Sequence, residues 1–340
     1  PGSGPDGGLF VGEVAAICGW ATGLDRSYVP IQGPPGTGKT FTGAHMIRTL
    51  VNAGMRVGVT AMSHAAIDNL MQAVVDRFEA EGDSENLRAV RKAKDGSVAG
   101  VRYLDDNRNV AEGDFNVIAG TTWLFASQAM RDNPVDVLVV DEAGQLGLAD
   151  TVAATISATN VILLGDPQQL PQVSQATHPG GAGASALEHL LAGELTVPSD
   201  RGVLLEETWR MHPDVCSFIS EVMYGGKLRS HSTCAVQSAA GQTGLRWLRA
   251  VHKGCSTESP EEAAIVVAKV EELLGQPWTD QHGATRLLTI ADFTLIWWHA
   301  SGPGFSRLDS GPIVEPIDVT SSSRMASSGG LVTWAKSWLK

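Results

Sequence analysis

An α/β fold built on a parallel sheet is predicted by three features of this sequence. Short β-rich runs are apolar almost throughout, helical patterns separate most of them, and a glycine-rich segment joins the first run to the first helix. The runs are Tyr28–Gln32, Val57–Ala61, Asn116–Gly120, Val135–Asp141 and Asn160–Gly165. A short run without polar alternation is suited to burial on both faces, and helices between such strands supply the crossovers that parallel neighbours require.

One stretch breaks the rhythm. Between Arg77 and Asp114 the chain turns polar and charged, and a short helix is expected from Ser84 to Lys94, carrying Arg88, Arg91, Lys92 and Lys94. Either a solvated insertion or an accessory lobe touching nucleic acid fits that composition. Further on, Ser185 and Glu188 have the spacing of a capping box and open a helix over Ala186–Leu191. A linker-like segment, Gly193–Gly202, precedes a second α/β pattern: strand Val203–Glu206, helix Pro213–Tyr224, strand Leu245–Val251, helix Pro260–Leu274 and a strand near Asp292–Ile296. From Trp297 to Lys340 no clear period remains, and no repeat of fixed length is present. The expected organisation is a flank (1–27), a first α/β domain (28–192) with a small insertion (77–115), a linker (193–202), a partial second domain (203–296) and a divergent tail (297–340).

At 340 residues and 43% hydrophobic composition, two domains can each bury a core. Cys18, Cys216, Cys234 and Cys255 are far apart and form no C-x-x-C pair, so neither a zinc ribbon nor a disulfide scaffold is suggested, and a reducing, cytoplasmic setting is expected. No apolar run approaches the roughly 20 residues of a membrane span. The opening PGSGPDGG has the composition of a linker and no initial methionine, which suggests a piece of a longer chain. A net charge of -12 argues against a broad basic surface, so any nucleic-acid contact must be a local track.

GPPGTGKT (Gly33, Pro34, Pro35, Gly36, Thr37, Gly38, Lys39, Thr40) matches G-x-x-x-x-G-K-[ST] and lies between a predicted strand and a predicted helix. Gly36 and Gly38 let backbone N–H groups point inward at phosphates, and the helix N-terminus adds positive potential. Lys39 neutralises β- and γ-phosphates, and the Thr40 hydroxyl is placed to bind Mg²⁺. A plain glycine-rich turn is the alternative. VDVLVVDE, Val135–Glu142, ends an apolar strand in two carboxylates at the sheet edge where ligands bind. Asp141 is expected to hold Mg²⁺ through water, and Glu142 to polarise an attacking water as general base. A further strand ends in GDPQQLPQ, Gly165–Gln172, where Gln169 can sense the γ-phosphate through a neutral amide.

GPPGTGKT, DEAGQ, GDPQQLPQ and TWRMHP, in this order, resemble the superfamily 1B helicases, including the RNA-decay helicase type. VTAMSHAAIDNL (Val59–Leu70), HPGGAGASALEHLL (His178–Leu191) and LLEETWRMHPDVCSFIS (Leu204–Ser220) are most similar to the helicase half of bacterial proteins that join a RecB-like nuclease to such a motor. The likeness covers Tyr28 to about Ile296. It implies a P-loop NTPase with a RecA-like parallel sheet followed by a second, incomplete RecA-like domain, an ATPase that uses ATP and Mg²⁺, and single-stranded nucleic acid as partner, DNA rather than RNA. A fused or associated nuclease is also implied, and no membrane.

By the same resemblance Ser63, His64 and Asn69 line the strand path, joined by Thr121 and Thr122 of AGTTW, Ala119–Trp123. Small hydroxyls and amides bind phosphate oxygens without reading bases, although such residues are also ordinary caps and turns. Arg210 takes the place of an arginine finger on the γ-phosphate, and Trp209 that of an aromatic stacked on adenine. Two departures stand out. No glutamine precedes Ile31, where relatives read the adenine edge, and DFTLI (Asp292–Ile296) leads into WWHASGPGFSRLDSGPIVEP instead of motifs V and VI. Neither Arg307 nor Arg324 lies in a final arginine motif. ATP binding, slow hydrolysis and poor unwinding are therefore expected. A nucleotide-dependent clamp on nucleic acid or on a nuclease partner, without unwinding, is the alternative.

Overall fold

The computed structural model describes residues 8–169, 183–251, 259–298 and 308–312. Eight strands form one sheet, and every pairing in it is parallel. In chain order its elements are α1 (Val14–Ala21), β1 (Tyr28–Gln32), α2 (Lys39–Asn52), β2 (Val57–Ala61), α3 (His64–Glu81), β3 (Ala89–Lys92), β4 (Val101–Leu104), α4 (Asn107–Glu112) and β5 (Val117–Ala119). There follow α5 (Thr122–Phe125), α6 (Gln128–Asp132), β6 (Val135–Asp141), α7 (Leu148–Thr155), β7 (Ala158–Gly165), α8 (Ala186–Leu191) and β8 (Val203–Leu204). The spatial order is β4-β3-β5-β2-β6-β7-β1-β8.

Side chains alternate across a strand, and here both sets are covered. On β6, Val137 and Val139 join the core with Met46, Ile47 and Leu50 of α2 and Ile67, Leu70 and Phe78 of α3. Their neighbours Leu138 and Val140 enter a second core with Phe125, Met130, Ala154 and Leu187. Each such aliphatic group contributes about 1.5–3 kcal/mol on burial, so β6 is held by packing on both of its faces.

The stretch from Arg77 to Asp114 is not a solvated insertion with a helix at Ser84–Lys94. Only Ser84–Asn86 make a short 3₁₀ turn, and Ala89–Lys92 become β3, which with β4 extends the same parallel sheet. Three of the four basic residues that suggested a lobe for nucleic acid, Arg88, Arg91 and Lys92, meet local partners, while Lys94 is exposed. Arg91 is 1% exposed, and its guanidinium donates to Asp68 Oδ1 (3.0 Å) and the Lys92 carbonyl (3.0 Å) while Nη2 meets His64 Nδ1 at 2.7 Å. Lys92 pairs with Asp105 and Arg88 with Asp114.

The chain divides into two compact units, residues 1–208 with 219–229, and residues 209–218 with 230–340. The division falls within α9 (Pro213–Tyr224). The second unit contains α10 (Pro260–Leu273), a small antiparallel sheet of 238–239, 277–279 and 285–287, and an antiparallel pair of 294–298 with 308–312. Its core comprises Val266, Val270, Leu288 and Phe293. No strand forms over Leu245–Val251: Leu245, Trp247, Leu248 and Val251 are all exposed, so nothing rewards the apolar alternation that suggested one. Among the described residues no helix is long and apolar enough to cross a membrane.

Candidate nucleotide and nucleic-acid site

Parallel strands deliver their following loops to one edge. Read along the adjacent strands β5, β2, β6, β7 and β1, the carboxyl edge carries Thr121–Thr122, then Ser63–His64, then Asp141–Glu142, then Asp166–Gln169, and finally Gly33–Thr40. All belong to the first unit.

The loop after β1 is bent by Gly36 and Gly38, at φ 78° and 80°, a region L side chains rarely adopt. Gly38 is the N-cap of α2, so Lys39 and Thr40 open a 14-residue helix whose first N–H groups are available to an anion. Thr37 closes the loop on itself, donating from Oγ1 to the Pro34 carbonyl at 2.8 Å. Lys39 Nζ donates to the Gly33 carbonyl at 2.8 Å, holding its ammonium against the loop. Pro35 accepts from Thr208 Oγ1 at 2.8 Å.

Asp141 ends β6 and is 5% exposed. Burial pushes its carboxyl up to about 6, the charge of Glu142 adds to this, and the Glu142 N–H, 2.9 Å from Oδ1, and the Lys39 ammonium oppose it. The positions of Lys39, Asp141 and Glu142 are thus close enough to be felt electrostatically by the middle one. The buried Asp141 carboxylate and the Thr40 hydroxyl, at the start of α2, are hard oxygen donors of the chemical kind Mg²⁺ takes. Glu142 has φ 51°, a left-handed conformation costing a non-glycine residue about 1–3 kcal/mol. That strain turns the chain sharply at the strand end. Gly165 permits the next loop to lie close beside it: a Cβ there would fall 2.7 Å from the backbone nitrogens of both Ala143 and Gly144.

Gln169 donates from Nε2 to Asp166 Oδ2 at 3.2 Å, and Asp166 is 1% exposed. Two partners of Asp166 escaped the reading of the sequence. Gln32, fully buried at the end of β1, donates to Oδ1 at 3.3 Å, and Tyr224, at the end of α9, donates to Oδ2 at 2.7 Å. The residues after Gln169 in GDPQQLPQ, and His178–Ala182, lie outside the described residues.

On the other flank β5 and β2 are neighbours, with the Gly120 N–H donating to the Val59 carbonyl at 3.0 Å. Ser63 caps α3 through Oγ, accepting from the Ala66 N–H at 3.1 Å, the ordinary cap role open to such a residue. His64 and Asn69 are exposed. Thr121 is the N-cap of α5 but makes no side-chain cap bond, Thr122 begins that helix, and Trp123 beside them is 85% exposed.

Trp209 and Arg210 belong to the second unit. The Trp209 indole stacks on His231, with ring centroids 3.5 Å apart and planes at 18°. His231 was not legible as part of an aromatic platform, since 21 residues of chain separate the two rings. Arg210 is half-buried, and desolvation lowers the pKa of its guanidinium.

A parallel α/β sheet with a phosphate-type loop after β1 and paired carboxylates after β6 defines a nucleotide-binding protein of the P-loop class. Residues 15–191, just over half of the chain, match the AAA domain family, and the chain belongs to it. It is 25% identical over 279 residues to the DNA replication ATP-dependent helicase/nuclease JHS1 of Arabidopsis thaliana, covering 73% of this chain and 20% of that protein. It is 26% identical over 262 residues to the DNA-binding protein SMUBP-2 of Mus musculus, covering 60% of this chain and 26% of that one. A solved complex of Arterivirus nonstructural protein 10 (helicase) with DNA overlaps 63% of this chain and 43% of that chain, at 18% identity and a TM-score of 0.38. The resemblance to superfamily 1 helicases is borne out by the curated relatives, of whose length the chain spans about a fifth to a quarter.

Proposed function

We propose that this chain is the motor core of an ATP-dependent helicase or translocase that hydrolyses ATP on single-stranded nucleic acid, DNA in preference to RNA. The observation that supports this reading is the order of loops along one sheet edge, with phosphate-handling groups on β1, β6 and β7 and exposed hydroxyl and aromatic side chains on β2 and β5.

In this scheme the N–H groups of Gly33–Thr40 and the α2 terminus hold the β- and γ-phosphates, and Lys39 leaves the Gly33 carbonyl to meet their charge. Thr40 and Asp141 hold Mg²⁺, which offsets phosphate charge when bound. Glu142 takes a proton from the attacking water, and Gln169 donates to the γ-phosphate through the amide N–H not used on Asp166. Arg210 supplies a guanidinium to the transferring phosphoryl group, and Trp209, backed by His231, an aromatic face for adenine. Ser63, His64, Asn69, Thr121 and Thr122 contact the strand, chiefly through its backbone. The relatives' names include a nuclease and DNA binding, so a nuclease in the same polypeptide or in a partner, and DNA as the strand, belong to this reading. Strand separation is weak in this proposal because the residues after Ile296 do not carry motifs V and VI. A cytoplasmic location is also proposed.

The test is steady-state ATP turnover with and without single-stranded DNA or RNA, for the chain and for Glu142→Gln. Stimulation by strand, abolished in the variant, is expected. Nucleotide binding without turnover would replace the motor with a clamp.

A further inference from the structure

Asp166 is where three segments of the first unit meet. Its carboxylate accepts from four neutral donors: the Gln32 amide (3.3 Å) and the Gln168 N–H (3.2 Å) on Oδ1, and the Gln169 amide (3.2 Å) and Tyr224 hydroxyl (2.7 Å) on Oδ2. A carboxylate only accepts, which settles the orientation of each partner. The Gln169 amide must turn Nε2 toward Asp166, leaving its second N–H for another acceptor. Gln32 is pinned further, because its Nε2 also donates to the Leu195 carbonyl and its Oε1 accepts from the Val197 N–H. Tyr224 is buried, and both burial and the adjacent carboxylate push its hydroxyl pKa up, so it stays a donor.

The position of Tyr224 in the chain gives this bond its meaning. It is the last residue of α9, the helix that begins three residues after Arg210 and within which the two units divide. We propose that Tyr224 is a positioning residue for ATP hydrolysis: its hydroxyl fixes the Asp166 oxygen that orients the Gln169 amide, tying the helix that follows Arg210 to the γ-phosphate sensor. The inference rests on the function proposed above. Residue 224 touches no reacting atom in this scheme, and its whole effect passes through Asp166 to Gln169.

Tyr224→Phe removes only the hydroxyl. The expected result is a fall in kcat for strand-stimulated ATP hydrolysis of about tenfold, as for the loss of one hydrogen bond to a charged group, with KM for ATP changed by less than about twofold. The decisive readout is the double-mutant cycle with Gln169→Ala. In that background Tyr224→Phe is expected to cost less than about twofold more, because the group it positions is gone. A merely structural role would produce the same fractional loss in both backgrounds, and that result, or an unchanged kcat in the single variant, would overturn the proposal. Should the phenylalanine variant fold poorly by circular dichroism, Asp166→Asn serves instead. It is nearly isosteric but has one acceptor oxygen instead of two, so its NH2 opposes one of the two pairs of donors and the four-donor arrangement that orients Gln169 is broken; the same loss and the same non-additivity with Gln169→Ala are expected, additivity being the contrary result. Absence of turnover in the parent chain would defeat the functional reading itself, and this inference with it.

Discussion

The two flanks of the sheet's carboxyl edge are built in opposite ways. On the β6, β7 and β1 side the polar groups at or next to the strand ends are buried: Asp141, Asp166 and Gln32 are each no more than 5% exposed, and Glu142 is held in a strained backbone conformation, while Lys39 and Gln169 are half-buried and Thr40 reaches the surface. On the β2 and β5 side Ser63, His64 and Trp123 are exposed. The difference suits what each side holds under the proposed function. Desolvated, pre-oriented groups stabilise a developing charge strongly, whereas a strand that must slide needs contacts that form and break at little cost.

Chemistry and binding should therefore respond to different substitutions. The largest effect is expected on the buried flank, where Glu142→Gln lowers kcat for ATP by roughly a thousandfold through loss of the general base, while nucleotide affinity measured by direct titration is retained. An equal loss of affinity would remove the distinction between holding phosphate and activating water. Second comes Arg91, which supports the exposed flank from beneath. Arg91→Met is expected to lower unfolding stability in urea by roughly 2–3 kcal/mol, since three hydrogen bonds of a buried guanidinium vanish while Asp68, partly exposed, is rehydrated. A change below a few tenths would mean that β3 does not depend on that group. The smallest of the three is Trp123→Ala, for which fluorescence anisotropy should show single-stranded DNA binding weakened about tenfold, as for one lost stacking contact, with KM for ATP and Tm unaltered. Unchanged affinity would leave that exposed indole unexplained.

Much of the β6, β7 and β1 flank was readable as structure because its signals are local. The loop, the strand-terminal carboxylates and the Ser185–Glu188 box are each contiguous, and the box forms as expected with both reciprocal bonds. What escaped depends on partners distant in sequence. Tyr224 lies 58 residues from Asp166, and Gln32 lies 134 from it, so no periodicity marks either. Ser84–Lys94 was misleading for a related reason. Closely spaced basic residues read as a solvated helix, yet burying Arg91 costs little once Asp68 and a carbonyl receive it, and a strand then forms between β4 and β5. Leu245–Val251 shows the reverse: an apolar alternation with no partner surface to reward it stays irregular.

The central claim is that one flank holds a triphosphate, the other holds a strand, and the two are coupled. Reciprocal linkage tests it most directly: the affinity for single-stranded DNA is measured with no nucleotide, with a non-hydrolysable ATP analogue and with ADP, in the chain and in Lys39→Ala. The account predicts that the analogue changes strand affinity by about fivefold or more, that the strand changes analogue affinity by the same factor, and that Lys39→Ala abolishes both effects. Strand affinity identical in all nucleotide states, with the analogue bound, would contradict it.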